Sequence, residues 1–372
     1  MYPINPDRNI PWNDLPDLPI DRELYYNIEV LGELVEAKTA LAKLQGRSAA
    51  IPNQGILINT ISLQEAKASS AIENIFTTDD ELYRAYSLDK TDTVTGAPKE
   101  ILRYREALWT GMKYLKVKDC FDEDYFIKIY QEIQQTTDKI RPPFAQVVIR
   151  QGGSGMNTGM IIYTPPRGKG IVEMKLSNLL NFMNDDDVFA IDPVLKMIIG
   201  HFQFEAIHPF RDGNGRTGRV FNIHYLTLKG LLDMPILFLS RYIIDNKEEY
   251  YRRLLAVSQQ GEWKNWILFM LDAVRVTSTL TYNKINDILA TKDAILAAIE
   301  NDTNITRPEQ MIEMIFTQPY TKVKHFTDRG IYAENTARNY LNRLSEMGVL
   351  EKRTIQGHHF YLNLELYRIL SE

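Results

Sequence analysis

The stretch His208-Pro-Phe-Arg-Asp-Gly-Asn-Gly-Arg-Thr-Gly-Arg219 decides how this sequence folds and what chemistry it can carry. It ends one apolar helix pattern at Pro209, makes a glycine-rich turn and begins a second helix at about Gly215. Free backbone N–H groups at a helix start bind anions, and Arg216 and Arg219, three residues apart, add charged donors on the same side. The stretch therefore predicts a phosphate-binding cradle between two helices.

Two other side chains of this stretch suit chemistry at a bound phosphate. Asp212 is the acidic group placed to hold a Mg²⁺ ion that bridges phosphate oxygens. His208 has the ordinary pKa needed to take a proton from an attacking hydroxyl. A histidine at a helix end is more often structural, but a chance match to H-P-F-x-D-G-N-G-R-x-x-R has a frequency on the order of 10⁻¹² per starting position. The combination favours phosphate chemistry.

The alternatives to this phosphate site are a metal site and a nucleotide site of the Walker type. His201, Glu205 and His208 follow i, i+4, i+7 spacing and could form a metal site on one helix face, although Pro209 ends the helix there. A nucleotide site of the Walker type is excluded, because G-x-x-x-x-G-K-[ST] occurs nowhere in the sequence.

Upstream of the cradle, the sequence predicts helices and one hairpin. Asp192-Pro193 opens the helix that leads to His208, with Asp192 as the N-cap. Runs of β-forming residues at 146–150 and 160–164 flank a turn-rich segment and predict a hairpin. Further upstream, an amphipathic pattern covers about 21–44, and Ser62 with Glu65 predicts a capped helix over about 63–76. Thr78 with Glu81 repeats the capping pattern.

The last part of the chain has its own pattern. Helical segments followed by two strands, 350–355 and 358–362, predict a winged helix-turn-helix. Its recognition helix is expected to be capped by Asn335 and stopped by Gly348. Its net charge is +1, from nine Lys/Arg and eight Asp/Glu between 305 and 372. The exposed side of that helix carries residue types that can reach bases and phosphates: Asn335, Arg338, Asn339, Asn342 and Arg343.

Composition narrows the function classes. The chain has 372 residues, a net charge of −5 and one cysteine, Cys120. Bulk charge of this sign does not coat nucleic acid or an anionic membrane. A single cysteine fits a reducing compartment, and the polar, proline-rich start shows no signal peptide or membrane span, so we expect a soluble, cytoplasmic protein without a membrane partner.

The sequence around the cradle resembles the Fic/Doc (Fido) family, which transfers AMP from ATP to hydroxyl side chains of target proteins. His208–Arg219 looks like the Fic motif, and the resemblance continues in 201–207, in Tyr163-Thr-Pro-Pro166 and in Ser240-Arg-Tyr-Ile-Ile244. It implies a mainly α-helical Fido core with a small β-hairpin flap, an N-terminal helical region and a C-terminal winged helix-turn-helix. The implied boundaries are 1–96, 97–298 and 305–372.

The resemblance also implies a role for each matching residue. His208 would be the catalytic base and Asp212 the Mg²⁺ ligand, with ATP as the substrate. The flap, including Val148, Ile149 and Arg150, would dock the target protein as an added strand. A lysine replaces the second glycine of the motif in the Doc branch that phosphorylates; here that position is Gly215, which favours AMP transfer. The ATP-binding residues would be Glu73, Gly213, Asn214, Gly215, Arg216, Thr217, Gly218, Arg219, Tyr250 and Tyr251.

Ser69-Ser-Ala-Ile-Glu73-Asn74 resembles the inhibitory motif S-x-x-x-E-[G/N] of one class of this family. A Glu73 carboxylate paired with Arg219 would occupy the guanidinium that the γ-phosphate needs, so Ser69 and Glu73 are expected to be inhibitory. Glu73 positioning a water that removes AMP from targets is the alternative. A homodimer is a candidate assembly. The competing function is a DNA-binding transcriptional regulator that uses the Fic core as a nucleotide sensor.

Overall fold

The computed structural model describes residues 2–49, 55–88, 94–151, 159–302, 304–355 and 357–372, and most of these are helical. The mainly α fold with a small antiparallel hairpin and a separate small sheet is confirmed. The helices are α1 (Ile28–Ala49), α2 (Gly55–Ile72), α3 (Asp79–Ser87), α4 (Gly96–Lys118), α5 (Glu123–Gln134), α6 (Ile171–Asn184), α7 (Pro193–Ile207), α8 (Asn214–Leu228), α9 (Leu239–Asp245), α10 (Lys247–Gln260), α11 (Trp263–Asp302), α12 (Pro308–Thr317), α13 (Val323–Thr327), α14 (Glu334–Glu346) and α15 (Leu364–Ser371).

Helix α7 forms the centre of the core. Almost every side chain from Val194 to Ile207 is buried, because α6, α8 and α11 surround it. A helix that is apolar on all sides is buried in this way. Its start is as predicted: the Asp192 side chain accepts from Val194 N at 2.9 Å, and Pro193 occupies the first turn. The helix ends before His208, which has a left-handed backbone with φ 52°.

Helix α2 differs from the prediction at both ends. It begins by Gly55, so Ser62 and Glu65 lie in its interior, and the predicted capping box there is wrong. Both side chains are fully buried, and Glu65 accepts from Ser240 N at 2.8 Å instead of capping a helix. The helix ends at Ile72, so the helix predicted over 63–76 ends before Glu73. Ser62 and Glu65 have the residue types of a capping box, but the tertiary structure buries both of them, and Glu65 forms a long-range hydrogen bond instead.

The second capping pattern is confirmed. Thr78 accepts from Glu81 N at 3.2 Å, and the Glu81 side chain accepts from Thr78 N at 3.2 Å, at the start of α3.

The predicted hairpin is also present. Strands β1 (Ile149–Gln151) and β2 (Met160–Tyr163) pair antiparallel, with Arg150 opposite Ile161. The turn-rich residues 152–158 lie outside the described residues.

The C-terminal unit joins three strands and four helices. The sheet order is β3 (Tyr320–Thr321), β5 (His358–Asn363) and β4 (Leu350–Ile355). Helix α11 continues to Asp302, past residue 298, where the sequence places the end of the Fido core. Asn335 is not the cap of the predicted recognition helix: α14 begins at Glu334 with Ala333 at the N-cap.

This unit packs against the N-terminal helices. Helices α12 and α15 contact α2, and Ser87 Oγ donates to Tyr320 O at 3.0 Å. Arg353 Nη1 lies 3.0 Å from Asp80 Oδ1. Among the described residues, none of the helices has the length and hydrophobicity required to span a bilayer.

Candidate active site

His208 lies at the break between α7 and α8. Its Nδ1 is 3.2 Å from Glu205 O, which favours a proton on Nδ1 and leaves Nε2 to accept one. Burial is the main reason that the pKa of His208 is lowered to about 4; Arg141 acts in the same direction, and the hydrogen bond to Glu205 O and the carboxylates of Glu73 and Asp212 oppose it. The imidazole is therefore neutral at pH 7, the form required of a general base.

Arg141 holds the backbone of this turn in place. Its Nε donates to His208 O at 2.8 Å, and its Nη2 donates to Ile207 O at 3.2 Å and to Pro166 O at 2.5 Å. The guanidinium therefore donates hydrogen bonds to the carbonyls at the end of α7, which have no partner within the helix, and fixes the residues around His208. Sequence reasoning missed Arg141, because no local pattern separates it from an ordinary exposed arginine.

The loop between the two helices is shaped by Asn214 and Gly213. Asn214 Oδ1 accepts from Phe210 N at 2.9 Å, and its Nδ2 donates to Phe210 O at 3.0 Å. Gly213 has φ 70°, a left-handed backbone that favours glycine, and the end of the Gln134 side chain lies beside it. The Asn214 side chain, predicted to bind ATP, is thus committed to the loop.

Arg219 is fully enclosed and has three hydrogen bonds to the end of α2. Its Nε donates to Ser69 Oγ at 2.8 Å, and its Nη2 donates to Ser69 O at 2.9 Å and to Glu73 Oε1 at 2.8 Å. Only 1% of the Arg219 side chain is exposed, against 32% for Glu73. The structure therefore brings together all three residues of the predicted inhibitory contact.

The Glu73 carboxylate lies on the first turn of α8. An added Cβ at Gly215 would be 2.3 Å from Glu73 Oε1 and 2.9 Å from Arg219 Nη1. Burial raises the pKa of Glu73, but the charge and hydrogen bond of Arg219 outweigh burial, so the pKa lies below its usual value. An ionised carboxylate therefore occupies the helix start where an anion would bind.

Arg216 faces different partners from those of Arg219. Its Nη1 lies 3.4 Å from Glu100 Oε2, and its buried Nε has no hydrogen-bond partner among the described residues. With its amide oxygen turned toward the donors, Gln134 accepts from Gly213 N at 3.2 Å and from Arg216 Nη2 at 3.0 Å. Gln134 thus lies at the cradle too, although the amphipathic pattern of α5 gave no sign of it.

Thr217 and Gly218, predicted to bind ATP, are buried. A Cβ added at Gly218 would meet Glu205 Oε1 at 2.5 Å and Phe204 Cδ1 at 3.0 Å. The structure therefore places Gly218 against α7 and not in the cradle.

Asp212 is exposed at the edge of the cradle, and its Oδ1 accepts from Gly213 N at 2.7 Å. One accessible carboxylate beside phosphate-binding groups fits the way Mg²⁺ binds, through one protein oxygen, substrate phosphates and water. The alternative metal site at His201, Glu205 and His208 is not supported: among the described residues no group of three such ligands converges, and His201 Nε2 bonds Tyr250 OH at 2.8 Å.

A recess of about 70 Å³ lies between the flap, the last turn of α7 and α10. Tyr251 lines it. Tyr250 is 1% exposed and its ring packs against Trp266, so its side chain is enclosed in the core and does not line the recess. On the flap, Ile149 lines the recess, Val148 is half-buried, and Arg150 is exposed.

Three family models match the chain. The model described as Fic/DOC family N-terminal matches residues 31–113, and that described as Fic/DOC family matches residues 120–226. The model described as protein adenylyltransferase SoFic-like, C-terminal domain, matches residues 293–366.

The curated relatives that match this chain have low sequence identity to it. Protein adenylyltransferase Fic of Culex quinquefasciatus is 24% identical over 228 residues, which are 61% of this chain and 39% of that protein. A probable protein adenylyltransferase of Aquifex aeolicus (strain VF5) is 25% identical over 207 residues, 53% of this chain and 62% of that protein. The chain thus spans less than two thirds of the length of these relatives.

Among solved structures, a Fic family protein from Desulfovibrio desulfuricans G20 superposes with a TM-score of 0.57 at 19% identity. The superposition covers 93% of this chain and 98% of that one, so the two share a fold.

Proposed function

Because this chain belongs to the Fic/DOC family, we propose that it is a protein adenylyltransferase that transfers AMP from ATP to a Tyr, Thr or Ser hydroxyl of a target protein and of itself. The target oxygen forms a bond to the α-phosphorus, the bond from that phosphorus to the bridging oxygen breaks, and pyrophosphate leaves. The hydroxyl proton goes to Nε2 of His208. The neutral state of this buried imidazole supports its role as the base.

The groups around the cradle support phosphate binding. The first turn of α8 presents backbone N–H groups, the buried Nε of Arg216 has no partner in the part of the chain that the structure describes, and Arg219 lies one turn further on. Asp212 would hold Mg²⁺, which would supply charge neutralisation at the phosphates. Tyr251 and the recess beside it would receive the base.

Autoinhibition is the second part of the proposal, and the contact between Glu73 and Arg219 carries it. The carboxylate takes a guanidinium donor at 2.8 Å and fills the space over Gly215. A γ-phosphate bound at Arg219 would meet the negative charge of Glu73 and lose that donor. ATP would then bind with its α-phosphate out of line for attack, so activity requires displacement of Glu73.

Transfer of label from α-labelled ATP tests this proposal. Glu73→Gly protein is expected to label itself and lysate proteins at least tenfold faster than wild type, because Arg219 is released. The double variant Glu73→Gly/His208→Ala is the control and should give no label. Equal labelling by wild type and Glu73→Gly would contradict the inhibitory role, and absence of any 5′-AMP adduct by mass spectrometry would contradict the transferase.

The DNA-binding alternative gains no support from the C-terminal unit. Arg338 pairs with Glu334 at 2.5 Å, Arg343 lies 3.3 Å from Glu346, and Asn342 accepts from Lys352. Acidic neighbours on the same helix therefore offset part of the positive charge that the recognition helix would present to phosphates. We therefore do not propose a transcriptional regulator.

We further propose the division into 1–96, 97–298 and 305–372, which the order of the matched family models supports. The single cysteine, Cys120, supports action in a reducing compartment. The homodimer stays a prediction, as does removal of AMP with the help of Glu73.

A further inference from the structure

The recess between the flap and α10 has one unusual side chain in its lining. Most of the lining is apolar, from the flap, α7 and α10: Ile149, Ile162, Phe202, Ala206, Leu254 and Leu255. Two of its hydroxyls are engaged inside the protein, since Tyr163 OH donates to Ala206 O at 2.8 Å and Ser258 Oγ donates to Leu255 O at 2.9 Å. Glu205 and Tyr251 are the remaining polar residues of the lining.

Glu205 has an unmet hydrogen-bonding need. Its Oε1 is buried and has no hydrogen-bond partner among the described residues. The carboxyl lies against Gly218 of α8, where an added Cβ would be 2.5 Å from Oε1, so the glycine makes room for it. A buried polar atom without a partner is costly, and each one in a native protein needs a physical reason.

The ionisation state of Glu205 adds to this. Burial raises the pKa of Glu205 to about 8, with Arg219 opposing the shift and Glu73 adding to it. At pH 7 the group is therefore mostly a neutral acid, which can donate one hydrogen bond and accept others. A flat ring with an apolar face and a polar edge matches a recess that offers Tyr251 and aliphatic side chains on its walls and this acid on one side.

We propose that Glu205 is a specificity-determining residue whose carboxyl group hydrogen-bonds the polar edge of the nucleotide base, accepting from the 6-amino group of adenine. This inference rests on the proposed function, which puts the base of ATP in the recess. Glu205 lies in the last turn of α7, three residues before His208, so base recognition and the catalytic base share one rigid helix end.

A binding experiment separates this role from a structural one. The parent is the full chain with Glu73→Gly, titrated calorimetrically with Mg²⁺ and either ATP or purine riboside triphosphate, which lacks the 6-amino group. ATP is expected to bind about tenfold more tightly than the analogue in the parent. Glu205→Leu should bind the two nucleotides equally, whereas Glu205→Gln, which keeps a donor and an acceptor, should restore the preference.

The comparison of two nucleotides within one protein removes effects of folding, and thermal unfolding of each variant is measured alongside. If Glu205→Leu does not fold, equal binding of the two nucleotides by the parent still overturns the inference. A preference that persists in folded Glu205→Leu also overturns it. Because no transfer is measured, a protein that shows the preference but never transfers AMP would contradict the proposed function and leave the inference standing.

Discussion

The cradle and the C-terminal unit both place arginines on a short helix, and they use them in opposite ways. Arg219 is 1% exposed and pairs with Glu73, 146 positions away along the chain. Arg338 is 50% exposed and pairs with Glu334, four positions away on the same helix. A buried pair between distant elements holds those elements together, whereas an exposed pair along one helix contributes only about 0.3–0.5 kcal/mol. Arg219 therefore connects two elements of the core, whereas Arg338 contributes to the charge of the surface.

The largest effect is expected from the catalytic base. His208→Ala in the Glu73→Gly background should lower AMP transfer by about 10²–10⁴-fold, because the target hydroxyl loses its proton acceptor. The matched control is His359→Ala, which removes an exposed imidazole of the C-terminal unit. Rates from α-labelled ATP check the prediction, and a comparable loss in both variants would show that the effect is not local to the cradle.

Loss of the buried arginine should have the next largest effect. Arg219→Ala removes the partner of Glu73 and both contacts to Ser69, so we expect the free energy of unfolding to fall by about 2–4 kcal/mol. Urea unfolding measures this, with Arg338→Ala as the exposed control. Equal values for the two variants would break the contrast between the two regions.

The pH dependence of transfer gives a third test. The pKa of His208 is lowered to about 4 by burial, so the free base predominates throughout the neutral range. Glu73 raises this pKa, so its removal does not bring the pKa back toward the usual value. The kcat/KM of Glu73→Gly protein should therefore lack an acid limb between pH 5 and 8, whereas an unshifted histidine with a pKa near 6.5 would lower it about thirtyfold over that range. An inflection near pH 6.5 would contradict the burial seen here.

The smallest effect is expected for the exposed ion pair on α14. Glu334→Ala should change the free energy of unfolding by less than about 0.5 kcal/mol, since its pair with Arg338 is open to solvent. Added salt should abolish even that change, because ions screen exposed charges. A cost near that of Arg219→Ala, measured by the same urea titration, would mean that α14 is held by its charges.

Local patterns predicted several helices of the fold. The N-cap at Asp192, the capping box at Thr78 and the alternation of the hairpin depend on residues a few positions apart, and all three are present. The capping box predicted at Ser62 and Glu65 is wrong, because the same two residue types occur both at helix starts and in buried contacts. Only the partners of Glu65, on α9 and α4, decide between them.

By itself, the sequence determined the turn from His208 to Arg219, with its glycines and its charges, because those residues are neighbours in the chain. Tertiary structure alone decided what surrounds that turn. Arg141, Gln134 and Glu205 reach it from other elements or from another face of α7, and their types are ordinary for exposed helices and loops. These residues act on the turn because they are buried or half-buried. A charge or an acid removed from water requires a partner, and the tertiary structure determines which partner is close.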